Sequence, residues 1–160
     1  MSRLTVICVG KLKEAFYLDA SREYLKRLGA YGEAQLIELP EQRLPEDPTR
    51  AQIDAALQKE AEAIRAKIPK GAYLAVCTPE GRQLSSEAFS ELLQRLKTEG
   101  RSSFCFVVGS SFGLDEGLKA QADLRLSFSP MTFPHHLFRV MLLEQLYRAE
   151  TIAAGSKYHK

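Results

Sequence analysis

Several residue types and sequence patterns that often indicate a function are scarce in this sequence. It has three cysteines, no tryptophan, and no apolar run long enough to cross a membrane. Cys8, Cys77 and Cys105 are isolated and odd in number, which disfavours a disulfide framework and any Cys-x-x-Cys site. Buried thiols in a reducing compartment are the expected state. The first strand-like segment is too short for a signal-peptide core, so we expect a cytoplasmic protein.

The common nucleotide and metal motifs are also missing. Gly10-Lys-Leu-Lys-Glu14 breaks a dinucleotide-binding glycine pattern after the first strand, and no Walker lysine motif exists. The adjacent His135 and His136 invite a metal reading, but neighbouring helical residues point about 100° apart. No acidic or thiol ligand follows nearby, so we predict no metal. The net charge of +2 does not by itself indicate nucleic acid.

What the sequence does contain is a regular alternation of strand-like and helix-like segments. This alternation predicts a single α/β domain over residues 1–160, with a mostly parallel sheet flanked by helices on both faces. A loop is predicted over 40–48, a turn at 78–81, and helix starts at Ser85 or Ser86 and at Asp115. The predicted strands are 4–9, 34–39, 73–77, 104–108 and 124–128, with helices over 16–28, 49–67, 86–96 and beyond 134.

Two tight loops follow the fourth and fifth predicted strands, at residues 109–113 and 129–134. In an open parallel sheet, ligands bind at the carboxyl ends of strands, so these loops form the predicted ligand site. Thr132 is expected to cap the last helix, and Pro134 to occupy its first turn. That helix is apolar nearly all round, which favours packing against both the sheet and a partner subunit; a central helix of a monomer is the alternative.

One motif points to a different activity. Gly109-Ser-Ser-Phe-Gly113 matches the G-x-S-x-G pattern of a hydrolase nucleophile, with Ser111 as the serine. Asp123 and either His135 or His159 follow in the appropriate chain order. A small serine esterase is therefore an alternative. Against it, the sequence has no second glycine-rich stretch for an oxyanion hole.

The end of the chain carries polar groups suited to RNA. Glu144 and Arg148 are spaced for a helical ion pair on an otherwise apolar helix. They either line a functional site or form an ordinary exposed ion pair. The terminal Tyr158-His159-Lys160 combines an aromatic ring, an imidazole and an ammonium group. Such side chains stack on bases, move protons and contact phosphates.

Several spaced blocks, in the right order, carry a resemblance to a known family. They are Val9-Gly-Lys-Leu-Lys13, Leu84-Ser-Ser-Glu87, Phe106-Val-Val-Gly109, Gly113-Leu114, Leu126-Ser-Phe-Ser129, Met131-Thr-Phe-Pro-His135, Arg139-Val140, Glu144-Gln145, Tyr147-Arg-Ala149 and Tyr158-His-Lys160. Together they resemble the ribosomal large-subunit methyltransferase H family, small SPOUT-class enzymes that methylate RNA. The match spans essentially the whole chain.

This resemblance implies a SPOUT fold with a C-terminal trefoil knot, a homodimer, and S-adenosylmethionine as methyl donor. The implied reaction is methylation of N3 of a pseudouridine in 23S ribosomal RNA on assembled ribosomes, without metal or membrane. A ribosome-binding module without catalysis is a further alternative. The implied cofactor residues are Cys77, Gly109, Phe128, Ser129, Pro130, Met131, Thr132 and Phe133, and the implied catalytic residues are Glu144, Arg148, Tyr158 and His159.

The chain departs from the family pattern at two positions. Ser110 stands where the family commonly has a second glycine, and Cys77 replaces a more usual leucine. A side chain at position 110 either crowds the cofactor or points away from it. Of the implied catalytic residues, His159 is the candidate for handling the N3 proton, and Arg148 for stabilising charge or contacting phosphate.

Overall fold

The architecture is a five-stranded parallel sheet, seen in a computed structural model that describes residues 2–160. All five predicted strands are present. Their bounds are β1 (Ser2–Val9), β2 (Gly32–Leu39), β3 (Tyr73–Gln83), β4 (Ser103–Val108) and β5 (Leu124–Ser127). The strand order is β2-β1-β4-β3-β5, and every adjacent pair of strands is parallel, which confirms the predicted α/β class.

Helices cover both faces of this sheet, as predicted. Alternate residues of β1 point to opposite faces: Val6 and Cys8 belong to one apolar cluster, and Ile7 and Val9 to the other. The helix bounds are α1 (Ala15–Leu28), α2 (Arg50–Lys67), α3 (Ser86–Thr98), α4 (Glu116–Gln121) and α5 (His135–Ala153). The first cluster includes side chains of α1, α3 and α5, and the second includes side chains of α2 and α4.

Side-chain caps begin three of the helices. The Thr49 hydroxyl accepts a hydrogen bond from the Gln52 amide at the start of α2. Ser85 caps α3 and Asp115 caps α4 in the same manner, so both predicted starts are confirmed. Each such cap contributes about 1 kcal/mol to helix stability.

The predicted cap of α5 is wrong. The N-cap position is Pro134, with extended backbone angles, and no side chain accepts a hydrogen bond there. Pro134 disfavours a helical conformation of Phe133, so the helix begins only at His135. Thr132 therefore lies two residues before the N-cap position and does not cap the helix.

The turn predicted at residues 78–81 instead lies inside β3. Pairing with β5 is interrupted after Cys77 and resumes at Arg82, so the strand bulges over the intervening residues. Gly81 lies in this bulge, where an added Cβ would be 2.7 Å from the carbonyl oxygen of Arg125. A β-carbon at position 81 would therefore force the two strands apart.

Helix α5 packs against α1 and α3. Its inner face carries Leu142, Leu143 and Leu146, which are at most 2% exposed. Apolar residues also lie on the outer side, where Leu137 is 37% exposed and Met141 is half-buried. Over residues 2–160, no helix has both the length and the apolar character needed to cross a bilayer.

Candidate functional site

A cavity of about 500 Å³ opens at the carboxyl ends of β4 and β5 and at the bulge of β3, where the sequence predicted a ligand site. We call it the strand-end cavity. Seven of the eight implied cofactor residues line it, and Pro130 does not. Its lining comprises Cys77, Thr78, Pro79, Val108, Gly109, Ser110, Ser111, Gly113, Leu126, Ser127, Phe128, Ser129, Met131, Thr132, Phe133, Pro134, His135 and Phe138.

The walls of this cavity combine apolar side chains and loop backbone with serine, threonine and histidine residues. Phe138 packs against Phe128, with ring centroids 4.7 Å apart, and stacks with Phe133 at 6.4 Å. The lining includes no Asp, Glu, Lys or Arg side chain. Burial lowers the pKa of His135, which favours its neutral form. The cavity therefore suits a ligand held by apolar contact and backbone hydrogen bonds.

The loop over residues 109–113, which we call the cavity loop, folds back on itself. The Gly113 amide donates to the Ser110 carbonyl at 2.9 Å. Gly113 adopts a φ of +90°, which glycine reaches without strain. At Gly109 an added Cβ would lie 2.8 Å from the carbonyl carbon of Gly113. Glycine at position 109 is thus required by the close approach of the two ends of the loop.

The side chain of Ser110 is directed away from the cavity, toward α2. Its hydroxyl donates to Oε1 of Glu60 at 3.2 Å, and Glu60 does not line the cavity. The second oxygen of Glu60 accepts from the Gln42 amide at 2.8 Å. Burial raises the pKa of Glu60, which is 5% exposed. Serine at position 110 is therefore accommodated by a hydrogen bond on the outer side of the loop.

A second cavity of about 630 Å³, the outer cavity, adjoins the first. The two cavities share Leu126, Phe128 and Phe133. The outer cavity extends between α1, α3 and α5 and reaches Glu144. The other residues that line it are Tyr24, Leu84, Ser85, Ser86, Phe89, Val140, Met141 and Gln145.

The four implied catalytic residues form a connected group, the tail cluster, at the far end of α5. Glu144 accepts two hydrogen bonds from Arg148, at 2.9 and 2.6 Å, and one from the Tyr158 hydroxyl at 3.1 Å. The Tyr158 ring lies 4.8 Å from the Arg148 guanidinium carbon and packs against Tyr147. The C-terminal residues therefore fold back onto α5.

Hydrogen bonding defines the tautomer of His159. Nδ1 lies 3.1 Å from Arg148 Nη1, and a guanidinium can only donate, so Nδ1 accepts. Nε2 then carries the proton of the neutral ring and donates to Glu87 at 2.7 Å. The hydrogen bond from His159 lowers the pKa of Glu87. Burial, together with hydrogen bonding, raises the pKa of Tyr158 to about 12, so the phenol is neutral at physiological pH.

Comparison with known proteins identifies the family of this chain. The family model described as predicted SPOUT methyltransferase matches residues 2–159. A protein of Streptococcus equi subsp. equi called ribosomal RNA large subunit methyltransferase H is 42% identical over 158 residues, covering 99% of each chain. The chain belongs to the SPOUT methyltransferase family.

Other relatives carry the same name and similar coverage. The ribosomal RNA large subunit methyltransferase H of Clostridium acetobutylicum is 45% identical over 98% of this chain and 99% of its own length. Among solved structures, a probable methyltransferase from Bordetella pertussis superposes with a TM-score of 0.57 at 15% identity, covering 92% of this chain and 94% of that one. A tRNA (m1G37) methyltransferase from Aquifex aeolicus gives 0.51 at 13% identity, over 92% and 70%. These two structures support the fold.

In this SPOUT methyltransferase, the triad of the hydrolase alternative is not assembled, although Ser111 and His135 both line the strand-end cavity. The Ser111 hydroxyl is exposed and donates to Glu41 at 3.4 Å. Asp123 accepts from the Leu74 amide near the start of β3, at the opposite edge of the sheet. His159 contacts Arg148 and Glu87. No nucleophile, base and orienting acid are assembled from these candidates.

The two adjacent histidines are closer together than helix geometry predicted. Their ring centroids lie 4.3 Å apart, and the Nε2 atoms of both rings lie beside Gly10, just after β1. His136 Nδ1 contacts Glu14 at 3.5 Å. Among residues 2–160, no group of three or more His, Cys, Asp or Glu is arranged to hold a metal ion.

Sequence reasoning missed two buried charged residues of the SPOUT domain. Glu60 follows Leu57 by three residues and precedes Ile64 by four, which places its carboxylate on the buried face of α2. Arg139 precedes Leu142 by three residues and Leu143 by four, and it is 1% exposed. A charged residue at an apolar position of a helix was the signal that could have found both.

Proposed function

We propose that this protein transfers a methyl group from S-adenosylmethionine to N3 of a pseudouridine in 23S ribosomal RNA, acting on assembled ribosomes. One observation carries the proposal: the strand-end cavity is lined by seven of the residues that the family resemblance assigns to the cofactor. The name shared by relatives at 42–45% identity supports ribosomal RNA as the substrate. The proposed setting is the bacterial cytoplasm, where ribosomes are found.

The residues of the cavity fit the cofactor. Phe128, Phe133 and Phe138 offer aromatic surface to an adenine ring, and the Ser129–Phe133 segment offers backbone donors and acceptors. The volume of about 500 Å³ lies within the range of small-molecule sites. When bound, S-adenosylmethionine supplies an electrophilic methyl group on a positively charged sulfur. The absence of Lys and Arg from the lining avoids repulsion of that charge.

The chemistry breaks the bond between sulfur and methyl carbon, forms a carbon–nitrogen bond at N3, and releases the N3 proton. The chain must therefore place the base in line with the methyl group and accept one proton. His159 is the proposed acceptor. In the observed arrangement Arg148 occupies its Nδ1 lone pair, so His159 can accept a proton there only after Arg148 releases it. A freed Arg148 guanidinium can then stabilise negative charge on the base.

We propose that the enzyme is a homodimer. Two features support a second copy. Leu137, Val140 and Met141 leave apolar surface on the outer side of α5, although this helix already packs inward. In addition, Arg148, Tyr158 and His159 line neither cavity of their own chain, while methyl transfer requires donor and acceptor groups in contact.

We further propose that the C-terminal segment is threaded as a trefoil knot, as in the family that it resembles.

Two measurements test this function. Isothermal titration calorimetry should show saturable binding of S-adenosylmethionine and its demethylated product. Assembled ribosomes lacking the modification should then gain one methyl group at N3 of a pseudouridine, whereas free 23S RNA should gain little. No binding at millimolar cofactor would remove the methyltransferase assignment. Cofactor binding with transfer to another nucleotide or to free RNA would retain the chemistry and overturn the proposed target.

A further inference from the structure

Glu60 is a buried carboxylate that forms no ion pair within residues 2–160. Burying such a group is unfavourable unless hydrogen bonds replace its lost hydration. Both of its oxygens are satisfied, one by the Gln42 amide and the other by the Ser110 hydroxyl. The free-energy cost of burying the carboxylate is therefore offset by two hydrogen bonds from loop residues, and not by an ion pair with a basic side chain.

These two contacts connect different parts of the sheet edge. Gln42 belongs to the loop after β2, and Ser110 belongs to the cavity loop after β4. In the sheet, β1 lies between β2 and β4. Glu60 therefore bridges the two loops across the carboxyl end of β1. The bridge is anchored on α2, whose neighbouring residues Ala61 and Ile64 are fully buried.

The contact with Ser110 restrains the whole cavity loop. The carbonyl of the same serine accepts from the Gly113 amide, and Gly109 packs directly against Gly113. Fixing the Ser110 side chain from outside therefore fixes the backbone that faces the cavity. A loop of five residues with two glycines has many other conformations available without this restraint.

We infer that Glu60 is a positioning residue: acting through Ser110, it holds the cavity loop in the shape that binds S-adenosylmethionine. Glu60 itself touches no cofactor. The inference rests on the proposed use of the strand-end cavity. It assigns to α2, a helix outside the cavity, a role in the affinity for the methyl donor.

The test compares three variants by calorimetry with S-adenosylmethionine. Glu60→Ala and Ser110→Ala each break the contact, and we expect the dissociation constant to rise about tenfold, as an unmade buried hydrogen bond implies. Glu60→Gln should bind within about threefold of the unaltered protein, since its amide can accept from Gln42 and donate to Ser110. Without cofactor, hydrogen exchange at residues 109–113 should be faster in both alanine variants than in the unaltered protein.

Ser90→Ala is the matched control, because Ser90 is 2% exposed and its hydroxyl donates to the Ala149 carbonyl between α3 and α5, at 2.7 Å. It should lower the melting temperature without changing affinity. An equal loss of affinity in the Ser90 variant would show general destabilisation and overturn the inference. Unchanged affinity and exchange in Ser110→Ala would overturn it too, even if Glu60→Ala does not fold. If the unaltered protein binds no cofactor, that result contradicts both the proposed function and the inferred role of Glu60 in cofactor binding.

Discussion

The guanidinium of Arg139 is hydrogen-bonded to the carboxylate of Glu38 across 101 positions of sequence. A second bond from Arg139 reaches the Gly10 carbonyl at 2.9 Å, and Glu38 also accepts from the Leu12 amide at 2.9 Å. One nearly inaccessible side chain thus joins the start of α5 to the carboxyl ends of β1 and β2. Since α5 contributes His135 and Phe138 to the strand-end cavity, this pair also fixes one wall of the site.

Replacing Arg139 by methionine should lower the free energy of unfolding by about 1–3 kcal/mol, because the buried Gly10 carbonyl loses its donor and Glu38, whose side chain is 30% exposed, loses its partner. Urea denaturation at neutral pH measures this change. Arg3→Met is the control, since Arg3 and Glu33 form an exposed pair that should contribute under about 1 kcal/mol. Adding Glu38→Gln to the Arg139 variant should recover part of the loss. Equal effects at positions 139 and 3 would contradict this account.

The fold was largely predictable because its signals are local. Five apolar runs with β-branched residues, separated by helical periodicity, are sufficient to predict a parallel sheet covered on both faces. Local signals also located the caps at Ser85 and Asp115. They failed at Thr132 and at the bulge after Cys77, because the first depends on how Pro134 directs the chain and the second on pairing with β5.

The site was predictable in part. Loops after consecutive strands indicated the strand-end cavity, and the family resemblance identified the tail cluster. Contacts between segments that are distant in the sequence could not be predicted. No spacing rule pairs Glu60 with Ser110, 50 positions away, or His159 with Glu87, 72 positions away. Such contacts depend on the order of strands in the sheet, which a single sequence does not specify.

Stability should depend on pH through Glu60. Because burial raises its pKa in the folded protein, the native state holds the proton to a higher pH than the unfolded chain does. The resulting stabilisation is complete below about pH 4.5, the ordinary pKa of a glutamate side chain. It is lost as the pH rises through the higher pKa that Glu60 has in the folded protein.

Glu60→Gln should therefore flatten this part of the profile and gain stability relative to the unaltered protein toward neutral pH. Unfolding free energies at a series of pH values between 4 and 8 measure the difference. Parallel profiles for the two proteins would show that Glu60 has an ordinary pKa.

Gly109→Ala should damage the strand-end cavity. The new Cβ would lie 2.8 Å from the Gly113 carbonyl carbon and 2.9 Å from a Leu114 methyl group, so the cavity loop must shift. We expect a loss of about 1–3 kcal/mol of stability and at least tenfold weaker cofactor binding. Gly117→Ala is the control, because that residue lies in α4 and does not line the cavity. Its Cβ would be 3.0 Å from the Asp115 oxygen that caps α4, so it can lower stability but should leave cofactor affinity unchanged. Wild-type affinity in the Gly109 variant would show that the loop adjusts freely.

A protein ending at Lys157 should retain cofactor affinity but lose methylation of ribosomes by orders of magnitude. The deleted residues line neither cavity, yet Tyr158 and His159 complete the tail cluster, and Lys160 offers a charge to phosphate. Deletion also removes the ring packing of Tyr158 and its bond to Glu144, so stability should fall by about 1–2 kcal/mol.

Point variants separate catalysis from this structural loss. Tyr158→Phe keeps the ring against Arg148 and Tyr147 and loses the contacts of the hydroxyl with Glu144 and Tyr24, so we expect a minor change in methylation. His159→Gln can still accept from Arg148 and donate to Glu87, but it cannot take up the N3 proton. Its turnover should fall at least a hundredfold while its melting temperature and cofactor affinity stay near those of the unaltered protein. Full turnover in His159→Gln would show that the imidazole orders the tail and that another group accepts the proton.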